Sequence, residues 1–392
     1  MLKQIAAVTL MNLRSLPLRL GTSWVIVIGI AVTVAVLVSV LAMDTGFKKT
    51  LAGTARADRA IVLRGGSNAE LSSTISRENT LTIMDAAGVK KDALGKTIAS
   101  AEAVTIVALP LKRTGTDANV TLRGVGANAF ALRPEVHLIV GRMFRPAVRE
   151  LIVGKSAAAQ FEGVAIGSRI AFHDSDWTVV GEFDSNGDAH ESELMGDIET
   201  VLSAFRCNLF QSVTVMLESP QAFDAYKAAL TTDPTLSVEV RREPDYYAEQ
   251  AKQLNKLLSF LAVFVGGFMA VGAMFGALNT MYAAVAARMQ EIATLRAIGF
   301  SAAPVIVSVF AEALLLSLLG GAIGAAGAWL FFNGNSVNTL GANFTQVVFH
   351  LSVTPALLVQ GIVGACLIGL FGGLFPALRA ARMPVATALR AA

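Results

Sequence analysis

Few residues in this chain are placed to do chemistry, and the most informative of them sit close together. Arg288, Glu291 and Arg296, followed by Gly299, stand between two long uncharged stretches. Positions 288, 291 or 292, and 295 or 296 fall on one face of a short helix, with Gly299 as its natural stop. With Ile292 and Leu295 between the charges, such a face suits docking rather than catalysis. Beyond it, Glu312 is the only charged residue between Ala302 and Leu378. A carboxylate inside a membrane span costs about 2.5–3.5 kcal/mol on insertion scales, so it must face protein or water. At about 1.5 Å per residue, Glu312 lies roughly 12 Å into its segment, and Asn279 roughly 13 Å before Arg288. The spacing predicts that Asn279 and Glu312 meet at one level and share a hydrogen bond, as a brace between neighbouring helices.

Other chemistry is poorly represented. There is no G-x-x-x-x-G-K-[ST] phosphate loop, no H-E-x-x-H and no G-x-S-x-G. His173 with Asp174 and Asp176, and His190 with Asp188 and Glu191, lack a recognised metal-ligand spacing and read as solvated loop residues. Cys207 and Cys366 fall in different segments and support neither a disulfide framework nor a metal site. The expectation is a chain with no catalytic residue, no metal and no cofactor of its own.

The elements that position the charged connector are membrane spans. The 392 residues are 54% hydrophobic and 16% charged, where a soluble protein is about a quarter charged. A net charge of +3 gives no argument for nucleic acid. Residues 1–19 carry apolar residues at near-helical spacing among Lys3, Arg14 and Arg19 and read as a cytoplasmic amphipathic segment. Residues 20–43 form a first span, too long for the apolar core of a signal peptide. Residues 44–256 turn soluble, with strand-like runs at 103–112, 120–125, 150–153, 169–172, 177–183, 212–217 and 236–240. The 212–240 stretch reads as a β-α-β unit, its helix opened by Ser219-Pro220. From Tyr246 no helix breaker intervenes before the second span, 257–287, so one continuous helix is expected there. The connector occupies 288–301, a third span 302–332, an uncharged loop 333–354, a fourth span 355–378 and a basic tail 379–392.

Lys and Arg in the short segments set the orientation. The amino-terminal flank has Lys3, Arg14 and Arg19, the connector Arg288 and Arg296, and the tail Arg379, Arg382 and Arg390, whereas 333–354 has none. Both termini and the connector therefore face the cytoplasm, and 44–256 lies outside. The fold class expected is a membrane protein of four transmembrane α-helices with a large α+β extracytoplasmic domain inserted between helices 1 and 2. Three glycine pairs at four-residue spacing, Gly272/Gly276, Gly320/Gly324 and Gly369/Gly373, are expected to let helices pack closely.

The connector resembles that of the FtsX/MacB-type permeases of ABC transporters. The matching residues are Arg288-x-x-Glu291-Ile292-x-x-Leu295-Arg296-Ala297-x-Gly299, then Glu312-Ala313 and the glycines from Gly320 to Gly327. Pro376-Ala377, Pro384 and Ala388-Leu389-Arg390 continue the match, and ELIVGKSAAAQF, GSRIAF and WTVVGEF look like the family's extracytoplasmic domain. The longer phrase GALNTMYAAVAARMQEIATLRAIGF is similar to the DevC-like, adaptor-dependent subgroup. The resemblance implies that the 288–301 connector is a coupling helix, with Arg288, Glu291, Ile292, Leu295, Arg296 and Gly299 meeting a separate ABC ATPase that holds the ATP and Mg. It further implies a permease subunit of the bacterial inner membrane, working as a dimer, with a periplasmic adaptor as a further partner. Hydrolysis would move the outer domain and drive export or extraction of a substrate. The alternative it implies is an ATPase-linked regulator of a cell-wall hydrolase.

Overall fold

The computed structural model describes residues 2–15, 20–172, 175–341 and 345–382. Arg19, His173, Asp174, Pro384 and the Ala388-Leu389-Arg390 motif lie outside them. The chain divides into two compact units. One comprises 1–45, 257–335 and 351–392, the other 46–256 and 336–350.

The first unit is built of helices. α1 (Leu2–Ser15) precedes α2 (Leu20–Thr54), which continues past the expected end of the first span and enters the second unit. α8 (Glu243–Ala287) likewise belongs to both units, and α9 (Met289–Ala297), α10 (Ala302–Phe332) and α11 (Pro355–Arg382) complete the set. Among the described residues, α2, α8, α10 and α11 are long and apolar enough to cross a membrane. Their shared core holds Ile30, Val34, Val38, Ala277, Ala313 and Ala365.

Glycine placement explains how closely these helices approach. A Cβ on Gly320 or Gly324 would collide with the backbone of α2 at Val27 and Ala31, and one on Gly369 or Gly373 would collide with Ser317 or Ala313 of α10. Gly272 and Gly276 behave differently. Both are exposed, with nothing within 4 Å of where a Cβ would stand. They do not pack helices within this chain. Gly266, which meets Leu37, and Gly372, which meets Ala277, take that role on α8 and α11. Gly324→Val should therefore force α2 and α10 apart and cost about 1–3 kcal/mol or more. Gly276→Ala should leave stability level or raise it by up to about 1 kcal/mol. Thermal unfolding of both variants in one detergent checks the contrast.

The second unit is an α+β domain. Its strands are β1 (Arg59–Arg64), β2 (Ala99–Pro110), β3 (Asp117–Val125), β4 (His137–Gly141), β5 (Glu150–Gly154), β6 (Arg169–Phe172), β7 (Ser175–Asp184), β8 (Glu193–Asp197), β9 (Ser212–Met216) and β10 (Val238–Arg242). They form one sheet in the order β10-β1-β9-β2-β3-β8-β5-β7-β4, with β6 also paired to β7. Between them run α3 (Arg77–Met84), α4 (Ala129–Leu132), α5 (Lys155–Gln160), α6 (Ile198–Ala204) and α7 (Phe223–Thr231). The β9-α7-β10 unit is split, because β1 lies between the two strands and is antiparallel to both. Ser76 and Asp197 cap α3 and α6 by accepting from Asn79 N and Thr200 N, whereas Ser219 makes no capping bond.

The expected loop at 333–354 is instead a hairpin of β11 (Ser336–Leu340) and β12 (Gln346–His350), and it belongs to the outer unit. β11 alternates exposed Ser336, Asn338 and Leu340 with half-buried Val337 and Thr339, and β12 buries Val348 and Phe349, a pattern hard to see in a short uncharged stretch.

Candidate functional site

The connector is a helix held from behind. Gly299 has φ +105°, a conformation that favours glycine, and it stops α9 where expected. Arg288, just before α9, is buried. Its Nη1 and Nη2 donate to Glu312 Oε2 and Oε1 of α10 at 2.9 and 3.0 Å. A planar guanidinium meeting a carboxylate through two parallel bonds fixes direction as well as distance. Arg296 is half-buried, and its Nη1 donates to the Ala381 carbonyl of α11 at 3.0 Å. Nearby, the Arg379 guanidinium sits over the Tyr282 ring at 5.5 Å. α9 is thus fastened to α10 through one arginine and to α11 through another.

Two expectations need correction. The partner of Glu312 is Arg288, and Asn279 stays exposed on α8. An arginine side chain reaches several ångströms along its helix, so equal depth of Cα atoms did not choose the partner. Arg288 therefore also leaves the outward face assigned to it. The side chains that do face outward are Glu291, Thr294 and Ile298, at i, i+3 and i+7, while Ile292 and Leu295 are half-buried. Ile298 is 72% exposed.

A second concentration of charge went unrecognised in the sequence. It is buried inside the outer unit. Arg123 donates to Glu70, Glu102 and Glu193 at 2.7–3.0 Å. Arg133 pairs with Glu102 and donates from Nε to His190 Nε2 at 3.1 Å. That leaves the proton of His190 on Nδ1, which lies 3.0 Å from Glu193 Oε2. His190 is fully buried, so the solvated-loop reading of its cluster is overturned. Arg59, also fully buried, pairs with Glu135 at 2.6 Å and with Glu243 at the start of α8 at 2.8 Å. It donates as well to the Thr54 carbonyl at the end of α2. The glutamates are scattered over 170 residues of sequence, so only the fold assembles them.

Burial alone would push Glu102 up, but Arg133 and Arg123 outweigh it and hold the carboxyl at about 2. Burial and Arg123 act in the same opposed way on Glu193, which also ends low. Asp188 goes the other way, raised by burial. The sign follows. Glu102 and Glu193 stabilise the fold at pH above their ordinary value of 4.5, and that stabilisation is lost as pH falls toward 2. For Glu102 the gap is worth about 3 kcal/mol. Asp188 and Glu243, both raised by burial, act in the opposite sense from their ordinary values of 3.8 and 4.5 upward. The outer unit should melt at lower temperature at pH 3 than at pH 7, and Glu102→Gln should flatten that dependence, read by near-ultraviolet circular dichroism.

Among the described residues no three His, Cys, Asp or Glu side chains gather to hold a metal. A polar cavity beside the charge network, lined by Glu70, Arg123, Glu193, Tyr246 and Thr345, measures about 70 Å³, well below the roughly 300–1,000 Å³ of a small-molecule pocket. The helical unit holds a groove of about 300 Å³, walled by Leu37, Gly266, Val271, Leu367 and Phe371 and without a charged group.

Two family models match the sequence. Residues 23–233, more than half of the chain, match the MacB-like periplasmic core domain, and residues 263–385 match the FtsX-like permease C-terminal domain. The chain belongs to the MacB/FtsX-like ABC permease family. The second match takes in α9, Arg288 and Glu312, so the fastened connector lies inside the family's permease region. A macrolide export ATP-binding/permease protein MacB 1/2 of Paracoccus denitrificans is 22% identical over 99% of this chain and 59% of its own length. A MacB 2 of Yersinia pestis is 32% identical over 35% of this chain and 18% of its own. The chain thus spans between about a fifth and three fifths of the length of these curated relatives. The periplasmic region of MacB from Actinobacillus actinomycetemcomitans aligns at 13% identity and a TM-score of 0.37, over 48% of this chain and 90% of that one. The extracellular domain of the transporter YknZ aligns at 18% and 0.36, over 47% and 99%.

Proposed function

We propose that this permease couples ATP hydrolysis on a separate ABC ATPase to movement of its outer domain, and so drives export or extraction of a substrate. The observation that carries the reading is the fastening of α9. Its outward face carries Glu291, Thr294 and Ile298, while Arg288 and Arg296 tie the helix to α10 and α11. A push on that face would reach both spans without loss in flexible side chains. ATP and Mg belong to the ATPase in this reading. The uncharged groove between α2, α8 and α11 is consistent with work done outside the membrane rather than a polar pathway through it.

A working unit of two permeases in the inner membrane fits the long exposed face of α8, where Phe260 stacks on Phe264 and Phe264 meets Phe268 edge-on, beside the open Gly272 and Gly276. Lipid covers whatever a second copy does not, and a periplasmic adaptor is the further partner in this reading. Affinity purification of the full chain from its native membrane tests the proposal. An ABC ATPase recovered in fixed ratio is the expected result. Repeated recovery of the chain without one, in detergents that preserve related complexes, would contradict it.

A further inference from the structure

The hairpin of β11 and β12 joins α10 to α11, the two spans to which α9 is fastened. Within the outer unit it is bound at a small number of specific points. Val348 N donates to Ser192 Oγ at 3.0 Å, and the Thr121 and Thr345 hydroxyls meet at 3.2 Å, both bonds buried. Phe349, 1% exposed, sets its ring edge-on to Phe47 with centroids 5.5 Å apart. A Cβ on Gly46 would collide with the His350 carbonyl, so the chain also passes close by at its backbone.

Ser192 lies in a segment that does several jobs at once. Ala189 N donates to Thr54 Oγ1 at the end of α2 at 2.9 Å. His190 and Glu193 enter the buried charge network, and Glu193 opens β8 at the middle of the sheet. Residues 188–193 therefore form a joint where α2, the hairpin and the sheet are tied together by short buried bonds. Buried hydrogen bonds and close aromatic packing resist shear, because opening any of them leaves an unsatisfied polar group or a void.

We propose that the hairpin is a second load path, delivering movement of α10 and α11 to the outer domain at the 188–193 joint, alongside the direct path through α8. This rests on the coupling function proposed above. It requires the hairpin to stay attached throughout the cycle, moving with the domain instead of sliding over it.

Amide hydrogen exchange on the intact complex with its ATPase tests this, nucleotide-free against ATP-vanadate. The wild type should show a nucleotide-dependent change both at α9 and in β5 and β8. The triple variant Ser192→Ala, Thr345→Val, Phe349→Ala should keep the change at α9 and lose most of it in β5 and β8. In a Cys207→Ser, Cys366→Ala background, Thr121→Cys with Thr345→Cys staples the hairpin down, and oxidation should leave the change intact. A triple variant that responds like the wild type overturns the second path, as does a staple that suppresses the response. The staple decides the matter if the triple variant fails to fold. A wild type that responds at α9 but nowhere in the outer domain overturns the coupling function itself.

Discussion

Replacing Glu312 with Leu while Arg288 remains should destabilise the helical unit by about 3–5 kcal/mol, the largest effect expected of any single change in it. The reason is asymmetry. A paired guanidinium and carboxylate in a dry site roughly balance their lost hydration by mutual attraction and two good hydrogen bonds, whereas a lone guanidinium has neither. Arg288 is 4% exposed and Glu312 likewise, and both guanidinium Nη atoms are spent on this one carboxylate. Glu312→Gln should fall between Leu and wild type, because an amide oxygen still accepts one bond but cancels no charge. Arg288→Met combined with Glu312→Leu should recover most of the loss, since an apolar pair of similar volume is often neutral or better. A double-mutant cycle on thermal unfolding in detergent gives the coupling directly. Equal loss in Gln and Leu, with no recovery in the double variant, would contradict a brace and point to a role for the carboxylate itself.

The second large effect belongs to the outward face of α9. Ile298→Asp with Glu291→Lys should weaken ATPase binding by roughly 30-fold or more, the consequence of losing about 2 kcal/mol or more at a central apolar anchor. Neither residue is a member of the Arg288–Glu312 pair, and an isoleucine that is 72% exposed contributes little to the fold of its own chain. Unfolding temperature should therefore stay near that of wild type while ATPase recovery and stimulation collapse. The arginines are a poor choice for this test. Arg296 holds the Ala381 carbonyl, so its replacement would loosen α11 and confuse docking with stability.

The legible parts of this molecule were those written in local composition. Four spans, the α9 stop at Gly299 and the α+β character of the outer domain follow from apolar runs, one glycine and alternating strands, each confined to a short window. The Glu312 partner is not legible from spacing because depth along two helices is a one-dimensional estimate, and Arg288 spans the difference with its own length. The hairpin resembles a loop in sequence because polar uncharged residues such as Asn338 and Thr339 are ambiguous without knowledge of what covers Phe349. The buried charges were the hardest to foresee. Glu70, Glu102, Glu193 and Glu243 each look like ordinary surface residues, and it takes the strand order β10-β1-β9-β2-β3-β8, with Glu70 on a short turn and Glu243 just after β10, to bring them around Arg123 and Arg59. Gly272 and Gly276 show the opposite error, since small-residue spacing marks a face that can be approached closely but does not say that this chain supplies the approaching helix.

The central claim is that an ABC ATPase meets the chain at the outward face of α9. Site-specific photo-crosslinking in the native membrane tests it most directly, with a photoreactive residue placed in turn at Thr294, Ile298 and, as a control on the exposed face of α8, Phe264. The account predicts an adduct containing an ABC ATPase from Thr294 and Ile298 and none from Phe264. Adducts at Ile298 with lipid alone, or the same ATPase captured equally from Phe264, would contradict it.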